Sequence, residues 1–230
     1  MQKDSHYFSI ADRLLWGISA LLIVLIFILF DRSNYIAMIA SLIGVSALLL
    51  NAKGNPIGQA LIIVFSLIYG WISFSCAYYG EMITYLGMSA PMALFALITW
   101  LKNPYKGNRA QVRVSRLTPK ELPLLLILTT GVTVTFYFIL RALQTANLPF
   151  STLSVTTSFI AVYLTLRRSP FFALAYAAND IVLIVLWFMA SIKNPSYFSV
   201  IICFIVFLVN DLYGFFCWLR MQKKQAADKD

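Results

Sequence analysis

Apolar residues run through this chain in long blocks separated by short charged joints, from Leu14 to Leu219. A helix that crosses a bilayer core needs about 20 consecutive apolar residues, with ~17–25 the usual range. On that measure the blocks predict eight spans, at about 14–30, 34–50, 57–79, 81–101, 122–141, 149–166, 169–191 and 196–219. Open strands are excluded as spanning elements, because lipid offers no partner to unpaired backbone groups. The period-two alternation of a barrel strand is also absent. The pattern therefore predicts an all-α integral membrane protein. The first block, "LLWGISALLIVLIFILF", ends in "DRSN" with no small-x-small cleavage pattern, and its leading tail carries Asp4 and Asp12 beside Lys3 and Arg13. It reads as a retained helix, not a signal peptide.

Composition agrees: 60% of the 230 residues are hydrophobic and 12% charged, against about 45–50% and 25% in soluble domains. No stretch outside the spans is long enough for a separate soluble domain. The net charge of +9 would suit nucleic acid until the positions of the charges are considered. Between Lys102 and Lys120 lie six cations (Lys102, Lys106, Arg109, Arg113, Arg116, Lys120) and no acid, which marks that joint as cytoplasmic. Threading the spans from there puts the N-terminal tail, the Lys53 joint, the Arg167-Arg168 joint and the C-terminal tail on the same side. That side holds fifteen of the eighteen cations, leaving Arg32, Arg141 and Lys193 opposite. The basic balance is thus a topology signal for a multi-pass plasma-membrane protein with both termini cytoplasmic. No nucleic-acid partner is expected, and the 102–120 joint has the charge to touch anionic headgroups.

Cys76, Cys203 and Cys217 all fall in spans without a CxxC, and the single histidine, His6, lies in the tail. Neither a disulfide framework nor a metal centre is indicated, and no cofactor is expected. An enzyme would need paired histidines, a nucleophile with its base, or acids clustered at one place, and the acids here are dispersed along the chain.

Spans four and eight end alike: "PMALFALITWLKN" (91–103) overlays "NDLYGFFCWLRMQ" (210–222) when Trp100 is set against Trp218. Spans three and seven each carry a midspan polar residue with an aromatic further on, Ser66 with Phe74 and Asn179 with Trp187. Both pairings imply a parallel 3+1+3 repeat, a transporter design. The expected organisation is an extra N-terminal helix (1–33), a first three-helix bundle (34–101), a linker helix (122–141), a second bundle (149–220) and a tail (221–230).

Within the spans, "YAANDIVLIVLW" (176–187) and "NDLYGFFCW" (210–218) each place Asn-Asp in apolar surroundings, then six residues and a Trp. Asp180 and Asp211 are the only acids deep in the spans, where an isolated charge costs about 2.5–3.5 kcal/mol or more. No Lys or Arg lies at matching depth, so both should face protein or a wet cavity. Helical spacing puts Tyr176, Asn179, Asp180 and Trp187 on one face of span seven. Span eight offers Asn210, Gly214 and Trp218 at i, i+4, i+8; Asp211 stands about 100° round from Asn210, so one of that pair must turn aside. Span three contributes Gln59, Ser66 and Ser73, with Tyr69 beside Ser66, and span six the hydroxyls of "STLSVTTSF" (151–159). Facing inward, these stripes would wall a central substrate cavity. The same hydroxyls would also serve as interhelical glue, and Trp100, Trp187 and Trp218 lie where aromatic belts are expected. Glu81, at the start of span four, complements a helix N-terminus.

The runs "YYGEMITYLGMSAPMALFALITWLKNPY", "TTSFIAVYLTLRRSPFFALAYAANDIVLIVLW" and "NDLYGFFCWLR" together resemble the nicotinamide riboside transporter (PnuC) family, from about Gly54 to Arg220. The resemblance implies a fold similar to the SWEET sugar transporters, a homotrimer, and inward diffusion of a vitamin or nucleoside that cytoplasmic phosphorylation then traps. It assigns Asn179 to hydrogen bonding of the substrate. Ala175 stands where the family has an aromatic, with Tyr176 the nearest ring. Asn210, Gly214 and Trp218 fit the last-span pattern, and span four keeps Trp100 but has Ala96 for a usual glycine. The expected function is facilitated uptake of nicotinamide riboside or a close relative by alternating access. Thiamine, a deoxynucleoside, or a non-transporting scaffold role are the alternatives.

Overall fold

The computed structural model describes residues 7–32, 35–75, 79–145, 147–192 and 197–228; His6, Cys76 and Lys193 lie outside them. Among the described residues, eight helices are long and apolar enough to cross a membrane. They comprise α1 (Ile10–Phe30), α2 (Tyr35–Ala52), α3 (Ile57–Ser75), a fourth span built from α4 (Tyr79–Ile83), a π turn (Thr84–Ser89) and α5 (Ala90–Leu101), then α6 (Glu121–Ala142), α7 (Leu148–Leu166), α8 (Phe171–Ser191) and α9 (Phe198–Ala227). The protein is a multi-pass membrane protein. α2, α3 and α5 pack as one group of neighbours and α7, α8 and α9 as another. α2 meets α9, α5 meets α7, α6 lies along α7, and α1 rests on α2 and α9.

Three departures from the hydropathy reading have local causes. The fourth span widens into the π turn. Pro91 has no N–H, and its ring cannot sit against the carbonyl four residues back in a regular helix, so an extra residue enters the turn before it. Next, α9 continues past the apolar run to Ala227, since "RMQKKQAA" is rich in good helix formers. Met221 and Gln225 of that extension are buried, one turn apart, while Lys223 and Lys224 are exposed. Finally, the joint after α5 contains a small hairpin, β1 (Pro104–Tyr105) with β2 (Asn108–Val112). Its tip, Lys106-Gly107, has positive φ at both positions (49° and 78°), the geometry of a tight hairpin turn.

The hairpin joint is bound to its neighbours on one face of the bundle. Val112 N donates to Gly54 O and Ser115 N to Arg168 O; Gln225 Nε2 donates to Val112 O, and Val114 N to Gln225 Oε1. Asp228 accepts from the Tyr105 hydroxyl and pairs with Lys106, which together hold its carboxyl below the usual value. The start of α1 joins the same face: Asp12, fully buried, accepts from Lys53 at 2.5 Å and from the Tyr213 hydroxyl at 2.6 Å, and forms a capping box with Ser9. This basic face is the one the charge pattern assembled from sequence. The opposite ends of the helices define the far face.

Candidate functional site

Two turns on the basic face repeat each other atom for atom. After α2, Gly54 N donates to Asn51 O and Asn55 N to Leu50 O; after α7, Arg168 N donates to Thr165 O and Ser169 N to Leu164 O. Gly54 and Arg168 both take positive φ (68° and 57°), and a proline follows two residues on in each turn. The two tryptophans at the ends of α5 and α9 bond to these turns crosswise. Trp100 Nε1 donates to Thr165 O at 2.9 Å, and Trp218 Nε1 to Asn51 O at 2.7 Å. Their rings meet at 5.4 Å between centroids, Phe172 stacks edge-on against Trp218 at 4.9 Å, and both indoles are fully buried. With Val112, Met221 and Tyr163 they form a tight apolar plug toward the basic face. Trp100 and Trp218 therefore serve neither as a belt nor as a cavity wall, the two roles expected from sequence.

Above the plug lies a cavity of about 890 Å³, at the upper end of the ~300–1,000 Å³ usual for small-molecule sites. Phe172 forms part of its floor; toward the far face it is bordered by Gln144, Thr145 and Asn147 between α6 and α7, and by Ile192 and Tyr197. Three of its described lining residues are acids, Glu81, Asp180 and Asp211, and none is Lys, Arg or His. Phe65, Tyr85, Tyr176 and Trp187 supply aromatic surface.

The structure brings five of the eight sequence-predicted site residues to this cavity: Asn179, Asp180, Tyr176, Trp187 and Ser66. Asn179 is held by Thr157, whose hydroxyl donates to Oδ1 at 2.8 Å, which leaves the amide nitrogen to donate elsewhere. Asp180 is 4% exposed, and its Oδ2 has no hydrogen-bond partner among the described residues. Ser66 Oγ is likewise buried without a partner among the described residues. Trp187 lies near the far rim, its ring tilted at 60° against Tyr197 with 5.2 Å between centroids.

The other three stand behind the wall. Gln59 donates to Asn51 Oδ1 at 2.9 Å and so positions a residue that does line the cavity. Tyr69 bonds Ser41 and packs its ring against Phe65 and Tyr85. Asn210 turns aside, donating to Ser19 Oγ of α1 and to Val206 O. Asp211 takes the inward position instead. The 100° step between Asn210 and Asp211 required such a choice, but only the packing of α1 decides it. Sequence reasoning also left out Tyr85, Asn51 and Glu81 as wall residues. The π turn brings Thr84 and Tyr85 to the cavity, as such turns often do at functional sites, and hydropathy alone gives no sign of it.

A ring of apolar helices around a largely apolar chamber that carries three acids, closed at one end by a packed plug, is the architecture of a small-molecule membrane transporter. The family model described as "Nicotinamide mononucleotide transporter" matches residues 34–220, and the chain belongs to that family. It is similar to the nicotinamide riboside transporter PnuC of Neisseria mucosa, 25% identical over 230 residues that cover 97% of this chain and 84% of that protein. It is also similar to the PnuC of Haemophilus influenzae, 23% identical over 192 residues, 83% of this chain and 82% of that one. Among solved structures, the crystal structure of the vitamin B3 transporter PnuC superposes with a TM-score of 0.82 at 20% identity, over 95% of this chain and 94% of that one. The fold is thus the PnuC fold, and the family is one of transporters, not enzymes.

Proposed function

We propose that this protein carries nicotinamide riboside across the plasma membrane into the cytoplasm. The single observation that supports this best is the charge of the cavity: three acids and no base among its described lining residues. Nicotinamide riboside bears a fixed positive charge on its pyridinium ring. Carboxylates at mid-depth and aromatic faces both favour such a cation, while Asn179 is placed to bond its amide or ribose. The family description names the mononucleotide, whereas the relatives are named for the riboside. The mononucleotide adds a phosphate, and an anion facing buried acids with no cationic partner is heavily penalised. The cavity favours the riboside.

With the basic face cytoplasmic, both termini lie inside and the cavity faces outward. The plug is then the closed inner gate. Each half closes it on the other: the α5 tryptophan reaches the turn after α7, and the α9 tryptophan the turn after α2. That crosswise pairing supports two half-repeats related by an axis along the membrane normal, with α6 as linker and α1 as an addition. Inward release requires both indole bonds to break together and the two bundles to rock apart around the bound guest. The resemblance to PnuC also implies a homotrimer, which light scattering of the purified protein would measure.

Uptake of labelled nicotinamide riboside into proteoliposomes, with thiamine, thymidine and the mononucleotide as competitors, tests the reading. Competition by unlabelled riboside and none by the mononucleotide is expected. Thiamine, also a cation, is the informative competitor: inhibition equal to that by the riboside would make it the substrate of choice.

A further inference from the structure

The two matching turns on the basic face differ in their side chains. Their backbone bonds set Asn51 against Thr165, Gly58 against Phe172 and Gln59 against Ala173. Asn51 and Thr165 do the same backbone work, since the carbonyl of each accepts one gate indole. The Thr165 hydroxyl turns back to Ala161 O of its own helix at 2.8 Å, and Thr165 is not a lining residue of the cavity. Asn51 does line the cavity; it is 4% exposed, and its Oδ1 accepts from Gln59 Nε2 at 2.9 Å. Gly58 makes room for that seat: a Cβ there would press into Asn51 Oδ1 and against the backbone of Asn51 and Ala47. The second half has the bulk of Phe172 at the matching position and Ala173 in place of the glutamine. It closes its side of the plug with no amide pair, so the Asn51–Gln59 pair is not a requirement of closure.

A ligand shifts a conformational equilibrium only by as much as it prefers one state to the other. A guest that opens the inner gate must therefore act on something that both faces the cavity and holds the plug. Phe172 does so by ring packing against both indoles. Among the described lining residues Asn51 alone is hydrogen-bonded to a gate indole, accepting from Trp218 Nε1 at 2.7 Å. Its Oδ1 is committed to Gln59, which leaves the amide nitrogen to donate to a hydroxyl or carbonyl oxygen of the guest. We propose that Asn51 is the positioning residue that couples the guest to the inner gate. Seated by Gln59, it holds its carbonyl against Trp218; a guest that bonds its amide draws it from that seat and loosens the indole bond. The contact is a hydrogen bond, so the pyridinium riboside and its uncharged reduced form use it alike. This inference rests on the plug being the inner gate and the cavity the substrate site, and not on the charge of the cavity.

The test uses the purified full chain with isotope-labelled tryptophan and reads hydrogen exchange at the indole N–H of Trp218 by nuclear magnetic resonance. Without ligand, Gln59→Leu should speed that exchange about five- to tenfold and exchange at Trp100 far less. Nicotinamide riboside should speed Trp218 exchange in the parent chain. Asn51→Ala should still bind the riboside, within a few fold, but the exchange should no longer respond. Its maximal uptake rate into proteoliposomes should fall about tenfold with the half-saturating concentration nearly unchanged. A contact that strengthens as the gate opens speeds that step without tightening the first complex. A merely structural role for Asn51 would lower melting and binding together and leave the response in place. Unchanged Trp218 exchange in Gln59→Leu, or riboside that binds Asn51→Ala and still speeds the exchange, overturns the proposal. If Asn51→Ala does not fold, Gln59→Leu replaces it, and a riboside response as large as the parent's overturns the proposal. If the riboside does not bind the parent chain, the substrate reading fails instead. Thiamine and thymidine then serve as guests in the same comparison, and binding of none of the three overturns both readings.

Discussion

The two ends of the central axis are built from similar residues and behave in opposite ways. At the plug, Trp100 and Trp218 have no exposed surface, and each indole N–H is bonded to a backbone carbonyl. In the cavity, Tyr85, Tyr176 and Trp187 keep ring surface against open space, and Asp180 and Ser66 leave buried oxygens unpaired among the described residues. Burial of an aromatic or an acid therefore does not distinguish a seal from a site. The distinction is whether the polar partner belongs to the chain or must come from outside, because an unpaired buried group costs about 1–3 kcal/mol until something satisfies it.

The comparison can be broken first at the plug. Trp218→Ala removes a fully buried indole and leaves the Asn51 carbonyl unbonded, so a loss of about 3–5 kcal/mol in stability is expected, measured by thermal unfolding in detergent. Trp218→Phe separates the bond from the bulk and should lose about 1–3 kcal/mol. An unchanged melting curve for both would mean that the plug is not a packed seal.

At the cavity, Asn179→Ala should weaken riboside binding by about 1–2 kcal/mol, roughly five- to thirtyfold. The loss should be alike for the charged and reduced forms, since the amide reads hydrogen bonds, not charge. Thr157→Val acts one step back. It frees Asn179 Oδ1 and should cost about fivefold in affinity with little change in melting. The smallest effect belongs to the turn after α7. Arg168 sits at φ 57° with its buried Nε unpartnered among the described residues, so Arg168→Gly should stabilise the protein by about 1 kcal/mol while Ser115 keeps its backbone bond.

Much of this arrangement was legible in the sequence. Apolar run length located all eight spans, because lipid enforces one physical rule along their whole length. The cations gathered the N-terminus, the Lys53, 102–120 and 167–168 joints and the C-terminus onto one face, and the Lys53–Asp12 pair joins two of those segments. Helical spacing put Tyr176, Asn179, Asp180 and Trp187 together. What stayed hidden depended on packing between helices. Nothing along the chain says that α1 would take Asn210 and leave Asp211 inward, that Pro91 would open a π turn around Tyr85, or that two terminal tryptophans would bond across the halves instead of lying at the membrane surface. Asp211 was an isolated acid in the sequence; it shares a cavity wall with Asp180 only because α8 and α9 pack side by side.

The central claim is that the cavity recognises a positive charge through Asp180. The most direct measurement compares Asp180→Asn with the parent chain for nicotinamide riboside and for its reduced, uncharged form, by binding to purified protein and by proteoliposome uptake. A loss of about ten- to a hundredfold for the cation, with the reduced form changed by no more than a few fold, is the expected result. Equal losses for the two forms would contradict the account.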